Sequence, residues 1–143
     1  MSYSAARVTA LDDRLCVTYF RGRGGQWVEA GLVTVMPATS SPEPLGEACL
    51  GALERGREVR WWQPFPRDTD VTSAALGVHS SVVDERASSV SLRGQNDEVR
   101  VYLMRRSEGG ALSDNAYTRV LKKPNAIDLG TAVLELLELL RQG

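Results

Sequence analysis

The sequence predicts an α+β domain: two copies of a β-β-β-α unit, mainly antiparallel strands in one sheet or two abutting sheets, and two long helices covering one apolar face. Three observations predict it. Two cap-and-stripe helix patterns, S-P-E-P-L-G-E-A-C-L-G-A-L-E at 41–54 and N-A-I-D-L-G-T-A-V-L-E-L-L-E at 125–138, stand 84 positions apart. At that same shift, 6–54 and 90–138 align without a gap and share 11 identities in 49 positions, against about 3 expected from ordinary composition. Ahead of each helix lie short runs of β-prone residues. The 143 residues make one domain, with repeat one at about 6–55, an unrepeated insert at about 57–87 and repeat two at about 90–140.

In repeat one, Ala6 to Val8 and Arg14 to Phe20 flank Asp12-Asp13, acids that bond locally to backbone and so suit a hairpin turn. Arg21-Gly22-Arg23-Gly24-Gly25 is a bend. Gln26 to Met36 is the third strand, expected to bulge near Gly31. Ser41-Pro42 starts a helix, with a hydroxyl to accept an orphan N–H and a proline where no donor is missed. Leu45, Cys49, Ala52 and Leu53 form its apolar stripe, and Gly56 is expected to stop it.

Repeat two follows the same plan. Ser89 to Arg93 and Glu98 to Met104 surround Gly94-Gln95-Asn96-Asp97, and Tyr117 to Leu121 is the last strand. Asn125 caps a helix whose stripe is Leu129, Val133, Leu136, Leu137 and Leu140. Both helices keep Leu-Gly at one position, although glycine there costs roughly 1 kcal/mol relative to alanine. Close packing is the expected reason, with Gly46 and Gly130 letting each helix approach the sheet backbone. The insert carries Trp61-Trp62, Pro64-Phe65-Pro66, an Arg67-Asp68-Thr69-Asp70 run ahead of a short helix at 71–76 closed by Gly77, and a second short helix near 81–86.

Composition bounds the function. A 43% apolar, 24% charged chain with net charge −1 is a folded, soluble one, and its charges are spread evenly. No basic arm marks a nucleic-acid binder. No apolar run approaches a membrane span, the N-terminus lacks an apolar signal core, and Cys16 and Cys49 read as reduced packing residues, so the expected location is cytoplasmic.

No catalytic, cofactor or metal site is expected. His79 is the sole histidine; Ser73, Ser80, Ser81 and Cys16 are the available nucleophiles, without a nucleophile-elbow pattern. Two cysteines and one histidine lack metal-ligand spacing. The glycine-rich 21–25 stretch has neither dinucleotide order nor the P-loop lysine. Two alternatives stay open: a nucleic-acid-associated domain using Trp27, Trp61 and Trp62 with Arg21, Arg23, Arg57 and Arg60, and a small hydrolase using His79 with Asp84 or Glu85. Asp68, Asp70, Asp84 and Glu85 of the insert offer an acidic face to a basic protein partner, although Asp70 and Asp84 also read as helix caps.

The residues A-R-V-x-x-L-D-D-R-L-x-V-T-Y at 6–19, G-R-G-x-x-W-V-E-A at 22–30, L-G-x-A-x-L-x-A-L-E at 45–54, F-P-R-D at 65–68 and S-S-V-S-L-R at 88–93 carry a further likeness. The chain resembles the immunity proteins of bacterial contact-dependent growth inhibition. That resemblance implies a non-enzymatic cytoplasmic antidote which occludes the active site of the C-terminal toxin domain, often a nuclease, of a cognate exoprotein. It carries over no contact residue position by position; the expected partner-binding residues, Trp61, Trp62, Asp68, Asp70, Asp84 and Glu85, are chosen because they lie in the unrepeated insert. It implies no membrane or nucleic-acid partner, and a monomer. The near-neutral charge departs from the strongly acidic surface expected against a basic nuclease.

Overall fold

The computed structural model describes residues 3–23, 26–58, 71–103, 105–107, 110–112 and 118–142. In chain order these form β1 (Tyr3–Leu11), β2 (Arg14–Arg23), β3 (Gln26–Pro37), α1 (Pro42–Glu58), α2 (Val71–Leu76), α3 (Ser80–Arg86), β4 (Ser88–Gln95), β5 (Glu98–Leu103), β6 (Arg105–Ser107), β7 (Gly110–Leu112), β8 (Thr118–Lys122) and α4 (Ala126–Gln142). Six strands make one antiparallel sheet in the order β3-β2-β1-β4-β5-β8, and β6 and β7 pair separately. The class is α+β, as the sequence predicts.

The repeat is visible in the register. β1 and β4 pair antiparallel at the centre of the sheet, and Arg7 lies opposite Ser91, its own counterpart at the 84-residue shift. Around that pair, Ala6 faces Leu92 and Val8 faces Val90. A pseudo-twofold axis therefore pierces the sheet between Arg7 and Ser91. α1 and α4 begin and end 84 positions apart. Arg21↔Val28 and Arg23↔Gln26 of the β2-β3 hairpin recur as Arg105↔Leu112 and Ser107↔Gly110, so the β6-β7 pair is the counterpart of the turn end of that hairpin. The first copy keeps this end in the main sheet through two irregularities in β3, on either side of Gly31 where the bulge was expected.

Local chemistry sets the punctuation. Asp12 (φ 54°) and Asn96 (φ 53°) adopt the left-handed turn conformation that short polar side chains tolerate. The Asn125 Oδ1 accepts the Asp128 N–H at 2.8 Å, the predicted cap of α4. Gly77 (φ +69°) ends α2 as expected.

Alternation then sends Ala6, Val8, Leu15, Val17, Val90, Leu92, Val99, Val101 and Leu103 to one face, under α1 and α4. The helices answer with Leu45, Cys49, Ala52 and Leu53 and with Leu129, Val133, Leu136 and Leu137, four repeat-related pairs that are all buried. Burying each Leu or Val contributes roughly 1.5–3 kcal/mol, so this double layer is the main source of cohesion.

Two glycine expectations need correction. A Cβ on Gly46 would lie 1.6 Å from the Ala126 carbonyl oxygen, and one on Gly130 would lie 1.8 Å from that of Pro42. The shared Leu-Gly thus serves a reciprocal helix-helix crossing, in which the first residue of each helix sits on the other's glycine, and not an approach to the sheet. Gly56 does not stop α1, which continues to Glu58; there a Cβ would meet the Phe20 carbonyl oxygen at 3.1 Å, so Gly56 is the glycine that lets the helix pass over the strand ends.

Candidate interaction face

The other face of the sheet is divided at the pseudo-twofold. Its β3-β2-β1 half is covered by α2, α3 and the link between them, whose Leu76, Val82, Val83 and Val78 pack on Leu11, Cys16 and Val35. Its β4-β5-β8 half carries exposed residues, among them Arg93, Arg100, Val120 and Lys122.

The covered half holds a buried carboxylate. Glu29 of β3 accepts the Thr72 backbone N–H at 2.8 Å, the Thr72 hydroxyl at 2.8 Å and the Thr18 hydroxyl at 3.2 Å. A buried charge is tolerated only when its lone pairs are satisfied. Here two of the three donors come from the first turn of α2, whose free N–H groups and dipole favour an anion, and the third from Thr18 of β2. Glu29 therefore fastens α2 to the sheet. Beside it, burial first and then the Glu29 charge push the Cys16 thiol up to about 11, with Thr72 and Arg14 acting in the opposite sense. Burial alone pushes Cys49 up to about 12. Both cysteines are free and buried, in keeping with packing roles.

α3 is held at its two ends. The His79 Nδ1 accepts the Ser81 N–H at 3.2 Å, so the single histidine is the N-cap of α3. Arg86 bonds Asp12 at 2.6 Å, an exposed ion pair. Asp84 falls in the interior of α3 and does not cap it, which corrects the sequence expectation; the cap is supplied by His79 because it, and not an acid, precedes the first helical residue. Glu85 is exposed on α3. Trp61, Trp62, Asp68 and Asp70 lie outside the described residues, as do Arg60 and the expected capping run at 67–70; Trp27 is described only as a residue of β3. Among the described residues no group of three His, Cys, Asp or Glu side chains could hold a metal ion, and no helix is long and apolar enough to cross a membrane.

The open half is ordered in three cross-strand rows. Tyr3, Gln95, Glu98 and Lys122 form the first, Ala5, Arg93, Arg100 and Val120 the second, and Arg7, Ser91, Tyr102 and Thr118 the third. Two arginines lie over rings, Arg7 at 4.8 Å from the Phe20 centroid and Arg93 at 5.8 Å from that of Tyr102. A cleft of about 380 Å³ opens between Tyr3, Arg93, Gln95, Glu98 and Arg100. Neither these residues nor Glu29 is among the contact residues expected from the sequence, which all lie in the insert. The usable clue was alternation: Arg93 follows Leu92, and Arg100 sits between Val99 and Val101, so both must face away from the helices.

The sequence matches no family model and no curated protein. The fold, however, recurs over almost the full chain. A protein of unknown function from Neisseria meningitidis superposes with a TM-score of 0.71 at 18% identity, over 94% of this chain and 92% of that one. A chain of the CdiA-CT/CdiI toxin and immunity complex from Yersinia pseudotuberculosis superposes with a TM-score of 0.61 at 14% identity, over 96% of this chain and 97% of that one. The resemblance read from the sequence thus has a counterpart in the fold.

Proposed function

We propose that this chain is the immunity protein of a contact-dependent growth inhibition pair, a non-enzymatic cytoplasmic monomer that binds its cognate toxin C-terminal domain and occludes the active site. The observation that carries this reading is the 96% coverage of the chain by a fold found in a toxin and immunity complex. It is joined by an independent likeness in the sequence motifs at 6–19, 22–30, 45–54, 65–68 and 88–93. The insert supplies one contact region, with Trp61, Trp62, Asp68, Asp70, Asp84 and Glu85 as the residues to substitute first. A nuclease is the toxin activity to assay before others.

Co-expressing the toxin domain encoded beside this chain in a bacterial host, with and without the chain, tests the reading. Cells expressing the toxin domain are expected to grow only when the chain is present as well. Toxicity unchanged by the chain would overturn it.

A further inference from the structure

The β4-β5-β8 half-face departs from what stability alone would select. Arg93 and Arg100 are direct cross-strand partners, both exposed. Opposed side chains on neighbouring antiparallel strands stand about 5 Å apart at Cβ, and like charges so placed are destabilising. Among the described residues neither guanidinium has a hydrogen bond or ion pair to offset that repulsion. The rows around them add Lys122 and, on the bordering strand β1, the half-buried Arg7, against the single acid Glu98, so a chain of net charge −1 concentrates positive charge on and beside this half-face.

The repeat supplies an internal comparison. At the 84-residue shift, Arg93 corresponds to Thr9, Arg100 to Cys16 and Tyr102 to Thr18. Where α2 covers the sheet, these positions are small and buried; where nothing described covers it, they are long, cationic and aromatic. Solubility would be served by any polar residue. Arginine and tyrosine are the types enriched where protein interfaces concentrate their binding energy, and a guanidinium fork matches a carboxylate bidentately.

We infer that this half-face, centred on the Arg93-Arg100 pair and its cleft, seats an acidic segment of the toxin domain, a proposal that rests on the immunity reading above. Carboxylates from the partner would neutralise both arginines at once, converting an unfavourable pair in the free protein into a favourable one in the complex. A nucleic-acid backbone suits the face less well, because Glu98 lies in the first row and Asp97 in the adjoining turn, and so few cations would give only weak phosphate binding.

The test is titration of a catalytically inactive toxin domain into this chain by calorimetry. Arg93→Glu combined with Arg100→Glu is expected to weaken binding by at least about 100-fold, and Arg93→Lys combined with Arg100→Lys by about 10-fold. Glu135→Lys, on the exposed side of α4, is expected to bind like the unmodified chain. Should the double reversal lower the melting temperature, Arg93→Gln with Arg100→Gln is read in its place, with a loss of at least about 10-fold expected. If the unmodified chain binds and neither double variant weakens it, the surface assignment is overturned while the immunity reading stands. If the unmodified chain neither binds nor rescues growth, both fall. Binding of a single-stranded oligonucleotide that the double reversal abolishes would overturn the acidic protein segment in favour of a polyanion.

Discussion

Glu29 is the residue on which the covered half-face turns. Its carboxylate accepts two hydrogen bonds from Thr72 and one from Thr18, all buried. Glu29→Ala would strand them, and the loss of charge-assisted bonds together with unsatisfied donors predicts a destabilisation of about 2–4 kcal/mol in urea unfolding. Thr72→Val, which removes one of the same donors, is expected to cost less than additively in combination with it. The two thiols give a separate check. Both folded pKa values are raised from 9.0, to about 11 and about 12, so the folded chain holds protons that the unfolded chain releases. The stability this represents is whole below about pH 9 and is lost as pH rises through the folded values, at about 1.4 kcal/mol per unit of difference. Melting temperature is therefore expected to fall between pH 9 and 11, less steeply in Cys16→Ala. At pH 8 neither thiol should react with a disulfide reagent until the chain unfolds.

At the scale of elements, the helix pair is the sharpest case. Gly46→Ala and Gly130→Ala each place a methyl group inside the opposite helix's first carbonyl, against backbone that cannot swing aside. On an isolated helix either change would be favourable by roughly 1 kcal/mol. In this protein each is expected to destabilise by about 2 kcal/mol or more, and the double variant by less than the sum, because the first clash already separates the helices. Thermal melts of the three variants decide it. The sequence made these helices plain, since caps and 3.6-residue stripes are local. It left the reason for the glycines open, because a crossing between segments 84 positions apart is not a local property. The same limit applies to α2: Val71–Leu76 was legible from composition, whereas the acid that holds its first turn stands 43 residues earlier on another element.

At the scale of the molecule, the ungapped repeat already implied a twofold arrangement, and Arg7 opposite Ser91 is where the axis falls. What the repeat could not convey was the division of the second face, because alternation tells which side a residue takes and not whether an insert lies over it. One consequence concerns folding as a unit. Each half lacks the neighbour strand at the central seam and the helix that fills its glycine contact, and the two copies share one core cluster. Residues 1–58 expressed alone are expected to give no folded monomer, measured by circular dichroism and sedimentation.

The insert also changes how many ligands such a chain can hold. A duplicated sheet with a perpendicular twofold axis begins with two equivalent outer half-faces, and so with the geometry of a bivalent binder. Laying α2 and α3 over one of them retires that copy. Any ligand of the remaining half-face meets a single seat there, so the sheet's duplication by itself does not give this chain two equivalent seats.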